Sequence, residues 1–281
     1  MGLAVPAGIS FLADILNDKV TIEEDIKAKT QVPVLGTINF SKKEEQRVIK
    51  KGSRSGIAER FRLLRTNLQY LNTQKKDNFT ILTTSNASGE GKSFISLNLA
   101  ASLALSEQKV LLIGLDLRKP KLKLYLGFDE NTTGMSHFLA GAADKKDIIH
   151  KVDRAENLYF IPSGIVPPNP AEMIMSRQMQ TLIEELKQEF NYIIIDMPPL
   201  GLVTDAFLLS EQVDLALFAV RFKKTPKAVL ARLEELRQSN KFSQLGIVFN
   251  GVKAGARYGG YRYGYGYGYG YGDGYGYYEE A

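Results

Sequence analysis

Short runs of leucine and β-branched residues recur along the chain and are separated by amphipathic stretches. Continuous apolar runs of this kind are typical of strands buried on both faces of a parallel sheet. They predict six strands: Phe79–Thr84, Val110–Leu115, Leu158–Ile161, Tyr192–Asp196, Leu215–Val220 and Gly246–Asn250. Helical patterns between them predict helices at Ser93–Leu105, Ser176–Phe190, Asp205–Glu211 and Thr225–Gln238. The alternation predicts an α/β fold, with helices on both faces of a mostly parallel sheet.

A further helix is predicted from about Ile57 to Asn72, ahead of the first strand. Its apolar residues recur at helical spacing and form one stripe. Glu59, Arg62 and Arg65 lie three residues apart on the polar face beside that stripe. From the residues alone, this face is a solvated pattern of i,i+3 charges.

The first 55 residues have a different composition from the middle of the chain. Residues 1–20 form an apolar stub, in which the apolar run 3–16 is shorter than the roughly 20 residues of a membrane span. The stub is therefore either the end of a truncated transmembrane helix or a packed helix. Residues 21–55 form a connector with a short helix at Ile22–Thr30 and a turn near 32–36. A globular domain is predicted over 56–254.

Residues 255–281 form a low-complexity tail of tyrosine and glycine. Glycine alternation gives little to pack and favours a flexible chain, so no secondary structure is predicted here. Ten of the fourteen tyrosines lie in this tail: Tyr258, Tyr261, Tyr263, Tyr265, Tyr267, Tyr269, Tyr271, Tyr275, Tyr277 and Tyr278.

Composition excludes several kinds of site. The chain has no cysteine and two histidines, so disulfides, thiolate metal sites and a histidine-rich metal centre are not expected. The net charge of +5 suits solubility or an anionic membrane surface. No basic stretch carries the interleaved aromatics of a nucleic-acid site, so no nucleic-acid partner is predicted.

A phosphate-binding loop follows the first predicted strand. It reads Ser88-Gly89-Glu90-Gly91-Lys92-Ser93 and opens a predicted helix. In this context backbone N–H groups cradle phosphate, the lysine reaches the terminal phosphates and the serine hydroxyl serves Mg²⁺. ATP or ADP with Mg²⁺ is the predicted cofactor.

Two other predicted strands deliver a carboxylate at their carboxyl ends, Asp116 after Leu111–Leu115 and Asp196 after Ile193–Ile195. Ligands of parallel sheets gather beyond those ends. Lys92, Asp116 and Asp196 are therefore predicted to be catalytic, with Ser93, Asp116 and Asp196 as the metal-binding set. The predicted nucleotide-binding residues are Ser88, Gly89, Glu90, Gly91, Lys92, Ser93, Phe94 and Asn250.

Taken together, these motifs resemble the bacterial tyrosine kinases of capsule and exopolysaccharide assembly. Ser88–Ser93 is similar to their Walker A loop, Ile113–Asp116 with Arg118 to a second Walker motif, and Ile193–Asp196 to Walker B. Glu59, Arg62 and Arg65 resemble the family's oligomerisation motif, and Asn250 resembles its base-contacting residue. The resemblance covers nearly the whole chain and implies a P-loop NTPase-like fold.

The resemblance also implies a function and a place in the cell. It implies an ATP-dependent autokinase that phosphorylates its tail tyrosines across a ring-like homo-oligomer and so regulates polysaccharide polymerisation and export. Its partners would be a cognate tyrosine phosphatase and the export machinery. The stub would be the end of a transmembrane helix, which places the chain at the cytoplasmic face of the inner membrane.

Two positions depart from related patterns. The second Walker motif usually reads Asp-x-Asp, but Gly114 occupies its first position, which leaves Asp116 as the candidate base for a phenol. Ala87 stands where partitioning ATPases carry a signature lysine. The absent carboxylate keeps open a P-loop ATPase scaffold that transfers phosphate to water. An adhesive tyrosine–glycine tail, independent of nucleotide, is a third hypothesis.

Overall fold

The computed structural model describes residues 17–40, 49–72, 77–117, 120–153, 155–200 and 205–253. These residues form eight strands: β1 Val34–Asn39, β2 Phe79–Ser85, β3 Val110–Gly114, β4 His150–Lys151, β5 Leu158–Ile161, β6 Tyr192–Asp196, β7 Leu215–Arg221 and β8 Leu245–Val252. The α-helices are α1 Glu23–Lys27, α2 Gly56–Leu71, α3 Lys92–Ala104, α4 Leu122–Tyr125, α5 Met135–Leu139, α6 Lys145–Ile148, α7 Pro170–Met175, α8 Arg177–Glu189 and α9 Ala228–Gln238. A 3₁₀ helix spans Asp205–Gln212.

All eight strands belong to one sheet with the order β1-β8-β7-β2-β6-β3-β5-β4. Every pairing is parallel except that of the two-residue β4 with β5. The predicted α/β, P-loop NTPase-like fold with a mostly parallel sheet is therefore confirmed. Strands β2, β6 and β3 lie side by side, which brings the ends of the three motif-bearing strands together.

Alternate residues of the strands feed separate cores on the two faces of the sheet. On one face, Ile81, Leu112 and Ile194 pack with the buried sides of α2 and α3. On the other face, Leu111 and Ile193 pack with α8 and the 3₁₀ helix. Helix α3 is buried along nearly its whole length, so the phosphate loop at its start rests on a rigid support.

A third cluster lies at the β7–β8 end of the sheet and contains side chains of the connector. Val20, Ile26 and Val32 are buried there against residues of β7, β8 and α9. The connector also supplies β1, which pairs in parallel with β8. The turn predicted near 32–36 is thus wrong from Val34 onward, because Leu35 and Ile38 are buried and the backbone is paired.

The other predicted elements match closely. The helix near Ile57–Asn72 is α2, and its cap is the Ser55 hydroxyl, which accepts the Ala58 N–H at 3.3 Å. The predicted helix at Asp205–Glu211 is a 3₁₀ helix instead of an α-helix. Among the described residues, no helix is both long and apolar enough to cross a bilayer.

Candidate active site

The phosphate loop connects the end of β2 to the start of α3 at the centre of the sheet's carboxyl edge. Gly91 is the cap of α3 and has φ of +100°, a conformation that disfavours any residue with a Cβ. A Cβ there would also collide with the side-chain amide of Asn250. Glycine is therefore required at position 91, and the α3 amino terminus presents its unpaired N–H groups and positive dipole to an anion.

Lys92 lies at the centre of a buried charged cluster. Its Nζ is 2.9 Å from Asp116 Oδ2 and 3.4 Å from Asp196 Oδ2. The Ser93 hydroxyl oxygen is 3.3 Å from the same Nζ. The side chains of Lys92 and Asp116 are each 11% exposed, and that of Asp196 is 3% exposed. The structure therefore brings together all three residues predicted to be catalytic.

Asp196 is held by two serines of α3. The Ser93 hydroxyl donates to Asp196 Oδ2 at 2.6 Å, and the Ser96 hydroxyl donates to Oδ1 at 3.1 Å. Sequence reasoning missed Ser96, although its position three residues after Ser93 places both on one helix face. A backbone bond from Leu115 N to Asp196 O, 2.9 Å, ties the ends of β3 and β6 and fixes the distance between the two acids.

Lys92 keeps its charge in this environment. Burial lowers the pKa of an ammonium, but the charges of Asp196 and Asp116 and the hydrogen bonds to them outweigh it, so the pKa of Lys92 is raised. A buried group of two carboxylates and one ammonium has a formal charge of −1. The site is thus suited to a further cation that accompanies a polyphosphate.

The donor set fits Mg²⁺. Ser93, Asp116 and Asp196 supply only hard oxygen ligands, which Mg²⁺ prefers, and Mg²⁺ is usually held by one or two carboxylates together with substrate phosphates. Among the described residues, no group of three or more His, Cys, Asp or Glu side chains forms a self-sufficient metal site. The residues therefore fit a metal that binds together with phosphate and not one held by protein ligands alone.

A narrow cleft opens beside the two acids, next to the position where a carboxylate is absent. Gly114, Asp116 and Asp196 line it together with Phe160 and Ser163. A Cβ on Gly114 would meet the Phe160 ring at 3.5 Å, an ordinary contact. The fold thus tolerates a side chain at position 114, and the glycine there is not required by crowding around its Cβ.

The outer part of the phosphate loop is held by residues of β8 and of the turn that follows β7. The Asn250 side-chain amide donates to Glu90 O at 2.9 Å, and Lys224 Nζ donates to Ser88 O at 2.9 Å. The Glu90 side chain is 1% exposed and turns inward. Its Oε1 accepts the Thr225 hydroxyl at 2.5 Å. Of the predicted cradle residues, Glu90 can therefore offer phosphate only its backbone N–H.

Arg221, at the end of β7, lies beside the loop. Burial lowers the pKa of its guanidinium. A Cβ at Gly251, whose φ is +73°, would collide with the Arg221 side chain. A Cβ at Gly91 would lie 3.7 Å from Nη1 of the same guanidinium.

Neither Lys224 nor Thr225 has a local sequence signal, since both reach the loop only because β7 pairs with β2.

The remaining predicted site residues lie away from the charged cluster. Phe94 turns into the core, where its ring packs edge-on against Phe61 with centroids 5.8 Å apart. On α2, Glu59 pairs with Arg62, while Arg65 donates to Ser102 O at 2.8 Å. Glu59 and Arg62 are exposed enough to contact another molecule, whereas Arg65 is partly engaged within the chain.

Several predictions fall outside the described residues. These are the apolar run 3–16, Arg118 and the ten tail tyrosines from Tyr258 to Tyr278.

Comparison with known proteins agrees with the geometry. Residues 79–229 match the family model described as an AAA domain. The chain is 35% identical to the tyrosine-protein kinase CpsD of Streptococcus agalactiae, over 72% of this chain and 87% of CpsD. It is 29% identical to EpsB of Ralstonia solanacearum, named as a tyrosine-protein kinase, over 94% of this chain but only 37% of EpsB.

A solved structure shows the same architecture. The kinase domain of Escherichia coli tyrosine kinase ETK superposes with a TM-score of 0.74 at 28% identity and covers 90% of this chain and all of that domain. The chain therefore belongs to the bacterial tyrosine kinase family and contains its AAA domain.

Proposed function

We propose that this chain is an ATP-dependent protein-tyrosine autokinase whose acceptors are the tyrosines of its own carboxyl-terminal tail. The observation that carries the proposal is the meeting of Lys92, Asp116 and Asp196 within hydrogen-bond distance at the start of α3. Relatives named as tyrosine-protein kinases support the reaction class. The dense tyrosine repeat offers the matching acceptor.

Each residue has a proposed role in nucleotide binding. The N–H groups of Ser88–Ser93 cradle the β- and γ-phosphates of ATP, and Lys92 contacts their oxygens. Its ammonium has three N–H donors, and Asp116, Asp196 and Ser93 already lie within reach of them. Phosphate oxygens must therefore compete with these partners. Asn250, which lies against the loop, is proposed to border the base.

Ser93, Asp116 and Asp196 would hold Mg²⁺, directly or through water. When bound, Mg²⁺ supplies charge neutralisation to the phosphates. In the proposed transfer, a tail phenol oxygen forms a bond to the γ-phosphorus while the bond from that phosphorus to the β–γ bridging oxygen breaks and ADP leaves. Asp116 accepts the phenol proton. Positioning and electrostatic stabilisation carry most of the catalysis.

The tail is long enough to reach another subunit. A glycine-rich segment of 27 residues has a root-mean-square span of about 25–30 Å. We propose that tails are phosphorylated across a ring-like homo-oligomer, with Glu59, Arg62 and Arg65 of α2 at the contact. Each phosphate adds about −1.5 to −2 charges, so four exceed the net +5 of the chain and would drive subunits apart.

The proposal extends to the cellular setting. We propose that the chain works at the cytoplasmic face of a bacterial inner membrane, with residues 1–20 next to the bilayer. Cycles of assembly and disassembly would regulate capsule or exopolysaccharide polymerisation and export, with a tyrosine phosphatase resetting the tail. The similarity to EpsB, of which the chain spans 37%, supports the kinase activity in this proposal.

The test is the intact mass of the purified chain after incubation with ATP and Mg²⁺, beside Lys92→Met. We expect a ladder of phosphate additions in the unmodified chain and none in the variant. Removal of residues 255–281 should abolish the ladder without abolishing nucleotide binding. Unphosphorylated protein together with free phosphate would instead support the second function below.

A P-loop ATPase scaffold without kinase activity is the second candidate function. It is favoured by Gly114, which leaves the cleft beside Asp116 one carboxylate short of the usual pair. In that case water replaces the phenol as the nucleophile, and nucleotide turnover alone would drive assembly.

A further inference from the structure

A short segment that runs from the last residue of β7 to the start of α9 contacts the phosphate loop from the side opposite the charged cluster. We call residues 221–227 the bracing turn. It approaches the loop at two points: the Thr225 hydroxyl donates to Glu90 Oε1 at 2.5 Å, and Lys224 Nζ donates to Ser88 O at 2.9 Å. The first of these contacts is fully buried and the second is exposed.

Thr225 and Glu90 link the bracing turn to the phosphate loop through a continuous chain of hydrogen bonds. The Thr225 hydroxyl accepts the Arg221 N–H at 2.8 Å and so has its single proton free for Glu90. The other Glu90 oxygen, Oε2, accepts the Ala87 N–H at 2.8 Å. One carboxylate thus joins the beginning of the loop, at Ala87, to the bracing turn, and the hydroxyl sets its orientation.

Burial makes this network costly to break. Thr225 is 0% exposed and Glu90 is 1% exposed. A buried carboxylate without partners is strongly unfavourable, so loss of the hydroxyl would force Glu90 to move and to release the Ala87 N–H. Because Glu90 lies between Gly89 and Gly91, its displacement would shift the N–H groups that face the phosphates.

The bracing turn is itself fixed from behind by the connector. Val20 N donates to Thr225 O at 2.9 Å, and Lys223 N donates to Val20 O at 2.8 Å. Lys227 also forms an ion pair with Asp25 at 2.8 Å. Thr225 therefore holds the loop with its side chain while its backbone is paired elsewhere, which is the arrangement of a rigid support.

We infer that Thr225 is a positioning residue for the phosphate loop and that it acts through Glu90. The inference rests on the proposed nucleotide site and adds to it a residue 135 positions away from Glu90 in the chain. Thr225 does not contact the reacting atoms. Its effect should therefore be on nucleotide binding, and the rate of transfer from bound nucleotide should change little.

The test compares Thr225→Val, which removes the hydroxyl and keeps the shape, with Thr225→Ser, which keeps the hydroxyl. We expect Thr225→Val to weaken Mg-ADP binding about tenfold in calorimetry and to raise the KM for ATP in parallel, with kcat within about twofold. Thr225→Ser should bind within about twofold of the unmodified chain. Thr80→Val is the matched control, because Thr80 is equally buried and its hydroxyl has no partner among the described residues.

Action through Glu90 is tested by a double-mutant cycle. Glu90→Ala alone should weaken Mg-ADP binding about as much as Thr225→Val, and the double variant should be no weaker than either, since both remove the same network. Hydrogen exchange at the Ala87 amide should accelerate in both single variants, a change that a purely structural role of Thr225 elsewhere would not produce.

Two results would overturn the inference about Thr225. One is unchanged Mg-ADP affinity in folded Thr225→Val, and the other is additive effects on affinity in the double-mutant cycle with Glu90→Ala. Should Thr225→Val fail to fold, Glu90→Gln replaces it: the amide has one acceptor oxygen for two donors, and about threefold weaker binding is expected. Affinity unchanged in Glu90→Gln would also overturn the inference. Absence of Mg-ADP binding by the unmodified chain would overturn the proposed nucleotide site and this inference with it.

Discussion

The inner end of the phosphate loop and its outer rim are held in different ways. At the inner end, Lys92 is surrounded by two acids and a serine in a buried, charged cluster. At the rim, Glu90 is fixed by Thr225 and Asn250 through hydrogen bonds with no opposing charge. The inner end supplies groups that would act on phosphate, whereas the rim supplies only the shape of the cradle. Changes at the inner end should therefore alter rate, and changes at the rim should alter affinity.

The largest expected effect is at the inner end. Asp196→Asn should lower the rate of tyrosine phosphorylation about 10²–10³-fold, because it removes a carboxylate proposed to hold the Mg²⁺ whose charge would stabilise the transferred phosphate. Glu130→Gln, an exposed acid, is the control. The measurement is kcat at saturating ATP and Mg²⁺. A change confined to KM would contradict the division of roles between the two regions.

A carboxylate added at the inner end of the phosphate loop gives a second test of the difference between the inner end and the rim. Gly114→Asp restores the carboxylate usual in this family, in a cleft with room for its Cβ. We expect phosphorylation to accelerate about tenfold, less than the roughly 10²–10⁴-fold of a general base, because Asp116 is already proposed to accept the proton. Gly114→Asn adds a side chain of the same shape without the charge and should give no acceleration. Equal rates for the two variants would count against a missing base.

At the rim, Lys224→Met should have a much smaller effect. The exposed Lys224 ammonium makes one bond to Ser88 O, so its loss should weaken Mg-ADP binding only about two- to threefold, with kcat unchanged. Within the part of the chain that the structure describes, the neighbouring Lys223 donates its backbone N–H to Val20 O and forms no hydrogen bond to the loop, so Lys223→Met serves as the control. An effect on kcat larger than that on affinity would place Lys224 among the catalytic groups instead.

The smallest effect is expected outside both regions, at Glu234 on α9. Its carboxylate accepts Thr30 and Gln31 of the connector, and the hydrogen bond from Arg237 together with these contacts lowers its pKa to about 2. Since the folded pKa is depressed, its contribution to stability is complete above about pH 4.5 and is lost as the pH falls toward 2. Thermal unfolding of the chain and of Glu234→Gln should therefore differ at pH 7 and converge as the pH falls toward 2. Parallel curves would contradict this.

The inner end was predictable from sequence, whereas at the rim Glu90 and Asn250 were predicted but Thr225 and Lys224 were not. Lys92, Asp116 and Asp196 each follow an apolar strand, and parallel strands must bring their carboxyl ends to one edge. Thr225 carries no such signal: it follows Arg221 in an ordinary turn and reaches Glu90 only through the pairing of β7 with β2. Hydrogen bonds between residues this far apart in the chain leave no pattern in a single sequence.

The same reasoning explains the missed strand. Val34–Asn39 contains a glycine and follows a proline, both of which favour a turn in isolation. In the fold, Gly36 lies where α2 packs closely, since a Cβ there would press against the Leu64 side chain at 3.2 Å. Tertiary packing therefore overrides the local preference, and only the partner strand β8 makes the segment extended.

Because β1 covers β8, it also determines where the protein can be cut. A fragment that begins after Phe40 would expose the whole hydrogen-bonding edge of β8, which is buried from Gly246 to Val252. An uncovered apolar edge strand invites intermolecular pairing and aggregation. Expression of a shortened form should therefore start ahead of Val34, even though the phosphate-binding sequence begins some fifty residues later.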